Sequence, residues 1–230
     1  MNNRPIIFSA PMVCALLEGR KTPTRRILKP QPYECDGRWW IVDRHSGDCY
    51  LDMWARGDVG CRPFLPGDRL WVRENLAVVA NWDHIFYAAT GCDHDKIAIE
   101  DEHAASIHQR YGDHYNAQDE KRVPSIHMPR WASRLTLIVT DVKAVRLQDI
   151  SEEDARAEGC FVGKATGRIF ENATSMRLGG NEWASARDWF ADLWESINGP
   201  DAWDANPWVI AISFAVQHAN IDQIPEANAI

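Results

Sequence analysis

A helix that has to stop at Gly19, followed by a cation-rich run that cannot continue it, constrains this chain more than any other stretch. Ser9-Ala10-Pro11-Met12-Val13-Cys14-Ala15-Leu16-Leu17-Glu18 reads as one short helix. Ser9 suits its N-cap, Pro11 its first turn, and Gly19 a left-handed stop. The chain then runs Arg20-Lys21-Thr22-Pro23-Thr24-Arg25-Arg26. Pro23 and the β-branched threonines favour an extended backbone, which sends Thr22 and Thr24 to one side. Lysine and threonine donors on a rim beside further cations are suited to hold an anion or polarise a carbonyl. As a purely structural feature, the same run is a solvated basic turn.

A second stretch supplies the complementary charge. Pro66-Gly67-Asp68 reads as a turn that launches the strand Arg69-Leu70-Trp71-Val72-Arg73-Glu74. Alternation puts Leu70, Val72 and Glu74 on one face. If that face is buried, Glu74 needs a cation or hydrogen-bond donors, and a salt bridge to Arg25 or Arg26 is the structural reading. A third carboxylate, Glu158, falls near the end of a helix that Ser151 begins, with Asp154 three residues later as in a capping box. A helix C-terminus disfavours a carboxylate, so Glu158 calls for a compensating partner.

The remaining chain reads as short strands and turns. Arg4–Phe8 is a first strand, and residues 38–42 and 48–54 flank His45-Ser46-Gly47 as a hairpin. Residues 77–79 and 84–89 are further strands, and 135–147 is one bent strand or two. Residues 90–123 are polar, with His94, His103, His108 and His114 at no helical metal spacing. His45, Cys49 and Cys61 match no established ligand spacing either. In the run from Pro124 to Arg134, two prolines favour an extended chain, and Trp131 lies between Arg130 and Arg134. That indole is either a cation-flanked surface for base stacking or a core anchor. Trp183, Ala186, Trp189, Phe190, Leu193, Trp194 and Ile197 recur at helical spacing, an aromatic stripe that reads as a core face. Residues 160–182 read as an aperiodic insertion, and 217–230 as a polar, poorly ordered tail.

Charge narrows the function classes. The 230 residues carry a formal net charge of −8, which argues against tight duplex binding, since phosphate attraction asks for a cationic surface. The distribution is polarised: residues 1–30 hold six cations against Glu18, and residues 181–206 hold six acids against Arg187. One basic mouth on an otherwise acidic protein fits a small ligand or a single strand. No apolar run approaches membrane-spanning length and the first residues lack a signal-peptide core, so the expectation is a cytoplasmic protein with no membrane partner. Six scattered cysteines with no C-x-x-C pair point to reduced thiols, with neither a zinc knuckle nor a disulfide framework.

The run Gly19-Arg20-Lys21-Thr22-Pro23-Thr24-Arg25-Arg26 after a short helix resembles the opening signature of the ASCH domain, a PUA-like β-barrel family. Pro66–Glu74 resembles that family's G-D-x-L-x-V-x-E strand, Leu147–Gly159 its post-barrel helix, and Asn206–Phe214 its last strand. The likeness is greatest to the larger ASCH proteins of bacteriophages and prophages. It implies an α+β fold, a PUA-like β-barrel with flanking helices. Residues 1–216 would be a single domain with insertions near 31–65, 90–124 and 160–182, followed by a tail over 217–230. It also implies a partner: a nucleobase or nucleoside, free or in single-stranded RNA or DNA, with no cofactor and no metal. Small ASCH amidohydrolases act on N4-acylated cytidine through Lys, Thr and Glu, which match Lys21, Thr24 and Glu158 here. Lys21 beside Arg20, Arg25 and Arg26 has its ammonium disfavoured and approaches a base; Thr24 would be nucleophile and Glu158 proton shuttle. Arg20, Thr22, Arg25, Arg26, Glu74, Arg130 and Trp131 complete the expected substrate-binding set, with Glu74 and Glu158 facing one pocket with Lys21. Pro23 and the large insertions depart from the compact enzymes. The alternatives are an RNA- or DNA-binding module without catalysis, a ribonuclease, and a phage interaction protein with a vestigial pocket.

Overall fold

A computed structural model describes residues 2–43, 47–51, 64–79, 84–90, 96–98, 105–107, 109–110 and 120–225. In chain order the elements are β1 (Asn3–Ile7), α1 (Ala10–Leu17), β2 (Pro23–Ile27), β3 (Tyr33–Cys35), β4 (Arg38–Asp43), β5 (Gly47–Tyr50), β6 (Arg69–Arg73), β7 (Leu76–Val79), β8 (His84–Tyr87), β9 (Lys96–Ala98) and β10 (Glu120–Val123). They continue with β11 (Thr136–Arg146), α2 (Glu152–Ala157), β12 (Phe161–Val162), β13 (Ile169–Phe170), α3 (Ala173–Arg177), α4 (Ala186–Asn198) and β14 (Trp208–Gln217). The protein is therefore mixed α+β with several sheets. Each strand order has two ends, so the described strands form no closed barrel, contrary to what the family resemblance implies. Closure requires both edge strands to share a ladder, and no such ladder joins them among the described residues.

The chain divides into two compact units, each drawn from separate segments: residues 1–2, 18–68 and 138–215, and residues 3–17, 69–137 and 216–230. In the first, β14 runs antiparallel to β2, with Thr24 opposite Ile212 and Arg26 opposite Ile210. β11 flanks β14 on its other side. β3, β4 and β5 form an antiparallel meander. The aromatic stripe of α4 is a core face as its spacing predicts: Ala186, Trp189, Phe190 and Trp194 are buried, and Phe190 lies 6.0–6.4 Å from the rings of Trp189, Trp194 and Trp203. Ile197 departs from the stripe and is exposed. Ser185 caps α4 by accepting from the Asp188 amide, and Gly199 at φ 99° stops it.

The insertion at 160–182 is structured, contrary to its aperiodic reading. β12 and β13 pair antiparallel, Ile169 bridges to Trp183, and Asn172 caps α3. Two-residue strands are too short to leave a period-2 signature, which is why the pattern missed them.

In the second unit, β1 runs parallel to β6, and β10-β7-β8-β9 form an antiparallel sheet. Its core follows from alternation across the ladder. Leu76 faces Tyr87 and Val78 faces Ile85, and these four pack with Val123, Met128 and Ala132, while the intervening Ala77 and Phe86 form a cluster of their own. Residues 124–134 are not a continuous extended run: Pro124 and Pro129 each precede a 3-10 turn, at Ser125–His127 and Arg130–Ala132. Residues 218–225 are also tied down, contrary to their reading as part of a loose tail. Asn220 Nδ2 donates to the carbonyls of Arg130, Trp131 and Ser133 at 2.9, 3.0 and 2.7 Å, and Ile221 is fully buried.

Candidate functional site

Gly19 adopts φ 70°, the left-handed geometry that its place after the helix predicts. The basic run then passes the C-terminal end of α2: the Thr22 amide donates to the Ala157 carbonyl at 3.1 Å, and the Thr22 carbonyl accepts from Phe214 at 2.9 Å. These backbone bonds place Lys21 beside Glu158, the C-cap residue of α2. Ser151 anchors the other end of α2 through the Asp154 amide, as its sequence predicts.

The Lys21 ammonium donates to Glu158 twice, to Oε2 at 2.6 Å and to the backbone carbonyl at 2.9 Å. Arg25 donates from one guanidinium nitrogen to Glu158 Oε1 at 2.9 Å and from the other to Asp154 Oδ2 at 2.7 Å. Arg20 donates to the carbonyls of Gly159 and Cys160. Three cations of the basic run, Arg20, Lys21 and Arg25, thus gather on the carbonyl end of one short helix, where the backbone dipole favours positive charge and where Lys21 and Arg25 compensate the misplaced carboxylate. Lys21, Arg25 and Glu158 are all buried, with Lys21 and Glu158 at 2% exposure. A fully solvated pair of this kind contributes about 1 kcal/mol or less, whereas here both charges have left water and each depends on the other.

Electrostatics at Lys21 follow from that burial. Desolvation is the largest influence and lowers its pKa from the ordinary 10.5; the Glu158 carboxylate opposes this, and Arg26 and Arg25 add to the lowering. Desolvation likewise lowers Arg26, with Glu158 opposing. Cys160 is pushed up to about 11, first by burial, against the pull of Arg20 and Arg156. That thiol is a poor nucleophile at neutral pH.

Thr24 is buried at 2% and lies on the face of β2 shared by Arg26, opposite that of Arg25. Thr22 is exposed. Lys21, Arg25 and Glu158 are therefore joined by direct bonds, with Arg26 close enough to influence both Lys21 and Glu158.

Glu74 belongs to the second unit. It is buried, as alternation with Leu70 and Val72 predicts, and both of its oxygens accept from Arg134: Oε1 from Nε and Oε2 from an η nitrogen, each at 2.9 Å. Arg134 stacks on the Tyr87 ring at 4.0 Å and reaches Thr90 Oγ1 at 3.3 Å. Sequence reasoning missed this partnership, having assigned Arg134 to the flank of Trp131. Sixty residues separate the two groups, and the only signal was Glu74's own need for a cation or hydrogen-bond donors, whose expected source, Arg25 or Arg26, is replaced by Arg134. Arg130, the other flank, pairs with Asp222, and Trp131 is half-buried against the core of its unit. The two arginines are thus engaged by carboxylates, and Trp131 packs more as an anchor than as an open platform.

His45, Cys61 and the histidines at 94, 103, 108 and 114 lie outside the described residues, as does the side chain of Cys49. Among the described residues, no group of three or more metal-ligating side chains gathers, Cys14, Cys35 and Cys160 are in no disulfide, and no helix is long and apolar enough to cross a membrane. No protein-family model, curated protein or solved structure matches the chain.

Proposed function

We propose that the chain is an ASCH-domain protein of the PUA-like superfamily whose basic site recognises a nucleobase or nucleoside, free or in a single strand, and hydrolyses an N4-acylcytidine-like amide. The observation that carries this reading is the buried contact of 2.6 Å between Lys21 Nζ and Glu158 Oε2, with the lysine's charge disfavoured by burial. A lysine whose ammonium is disfavoured by burial gives up its proton more readily than an exposed one, and a carboxylate in contact with it can relay that proton.

In the proposed reaction Lys21 takes the proton of Thr24 as its oxygen attacks the acyl carbonyl. The C–N bond then breaks as Glu158 passes the proton it receives from Lys21 to the departing N4 amine, and water, giving one proton to Lys21, cleaves the resulting threonyl ester, after which that proton returns to the Thr24 oxygen. Arg26, on the face of β2 that carries Thr24, stabilises the oxyanion formed during attack. Incubation with N4-acetylcytidine tests this directly. The expected outcome is release of cytidine and acetate, lost on Lys21→Ala and reduced at least a hundredfold by Glu158→Gln.

Binding without turnover is the second reading, and the Arg25–Glu158 bond favours it, because Arg25 and Lys21 between them engage both carboxylate oxygens. Saturable binding of the nucleoside with no product selects that reading. Neither binding nor product removes both.

A further inference from the structure

A cavity of about 240 Å³ opens on the face of α4 that carries Trp189, Asp192 and Leu193, at positions i, i+3 and i+4. Glu171, between β13 and α3, and Asn181 and Trp183, which follow α3, line its other side. The walls are built rather than incidental. Trp183 exchanges both backbone hydrogen bonds with Ile169, at 2.9 and 3.1 Å, which holds its main chain two residues from Glu171. Its indole N–H donates to Asp192 Oδ2 at 2.6 Å, tying one wall to the other. Trp189, at 2% exposure, provides a buried aromatic surface.

The lining carries two carboxylates, two indoles and no cation. Nearby cations are directed elsewhere: Arg168 toward Glu182 and Arg187 to the Gln148 carbonyl. Among the described residues neither Glu171 nor Asp192 meets a lysine or arginine within ion-pair distance. Two negative charges held in a concavity beside tryptophan surfaces complement a cation carried on an apolar stem. The indole N–H occupies one acceptor on the exposed Asp192, and the remaining carboxylate oxygens are open to N–H donors, which a quaternary ammonium lacks. The volume corresponds to roughly eight waters, room for a group of similar heavy-atom count.

We propose that this cavity binds a small organic cation with N–H donors on an alkyl stem, an alkylguanidinium or primary alkylammonium. The site is separate in its residues from the Lys21 cluster and does not depend on the function proposed for it.

The probe is n-butylguanidinium, with n-butylurea as its neutral isostere, titrated into the full chain at low salt. The Trp183 indole N–H resonance is followed, assigned through Trp183→Phe. The expected result is a saturable shift with butylguanidinium at millimolar concentration or below, and at least a tenfold weaker response to butylurea. Asp192→Asn, which still accepts the indole N–H, and Glu171→Gln should each weaken binding roughly tenfold. Agmatine and N-acetylarginine amide distinguish a free diamine-like ligand from an arginine side chain: a tenfold preference for either assigns the source. The proposal is overturned if butylguanidinium gives no saturable shift, if butylurea binds equally well, or if both carboxamide variants bind the cation as the parent does. The comparison of cation and isostere uses the unaltered protein, so it holds even if a variant fails to fold.

Discussion

Two buried carboxylates, one in each unit, meet their cations in different ways. Glu74 receives a two-pronged guanidinium from Arg134, whose plane also rests on Tyr87. Glu158 is divided between Lys21 on one oxygen and Arg25 on the other, with the lysine ammonium reaching the backbone carbonyl as well. A guanidinium does not lose its proton in proteins, so the first arrangement is a fixed charge pair. A lysine whose charge is disfavoured can lose one, so the second is able to change state. Burial of an acid therefore does not by itself mark chemistry; the identity of its partner does.

Removing each acid in turn sharpens the contrast. Glu158→Ala strands the buried Lys21 and leaves Arg25 with Asp154, and should destabilise the protein by about 3–5 kcal/mol at neutral pH, measured by urea unfolding. The loss should shrink as pH rises, because Lys21 can escape by deprotonating. Glu74→Ala strands one guanidinium, itself about one-tenth exposed and still stacked on Tyr87. Its cost should be smaller, about 2–3 kcal/mol, and flat over the same pH range. Equal costs with equal pH dependence would erase the distinction.

The unaltered protein carries the same signature. Lys21's folded pKa lies below its unfolded value of 10.5, so within that window the unfolded chain binds the extra proton. Stability from this group therefore rises as pH climbs from the folded pKa toward 10.5, and Lys21→Met should remove that rise. A smaller effect is expected at Asn220, whose side chain holds three carbonyls of the 130–133 segment: Asn220→Ala should cost about 1–2 kcal/mol. The smallest is kinetic. Cys160, with its pKa pushed up to about 11, should resist iodoacetamide at pH 7 while exposed Cys35 is modified first.

Features encoded within a few residues were legible in the sequence. Gly19's left-handed turn, the Ser151 cap, the aromatic face of α4 and the burial of Glu74 all follow from local spacing. Partner choice did not. Nothing near Arg134 points to a carboxylate sixty positions earlier, and Asn220 anchors its segment by side-chain-to-backbone bonds that leave no apolar period. Lys21 and Glu158 were placed together by likeness to a family rather than by pattern. The sequence reading supplied only the reason each needed a partner: a crowded cation on one side, and a carboxylate at the wrong end of a helix on the other.

The central claim is that Lys21 is a buried, destabilised cation held by Glu158. The direct measurement is an NMR titration of the Lys21 side chain in protein labelled with ¹³C at the lysine ε carbon, with the resonance assigned by its absence in Lys21→Met. The account predicts a midpoint below 10.5, and a still lower one in Glu158→Gln, because the carboxylate opposes the effect of burial. A midpoint at or above 10.5, or an upward shift in Glu158→Gln, would contradict it.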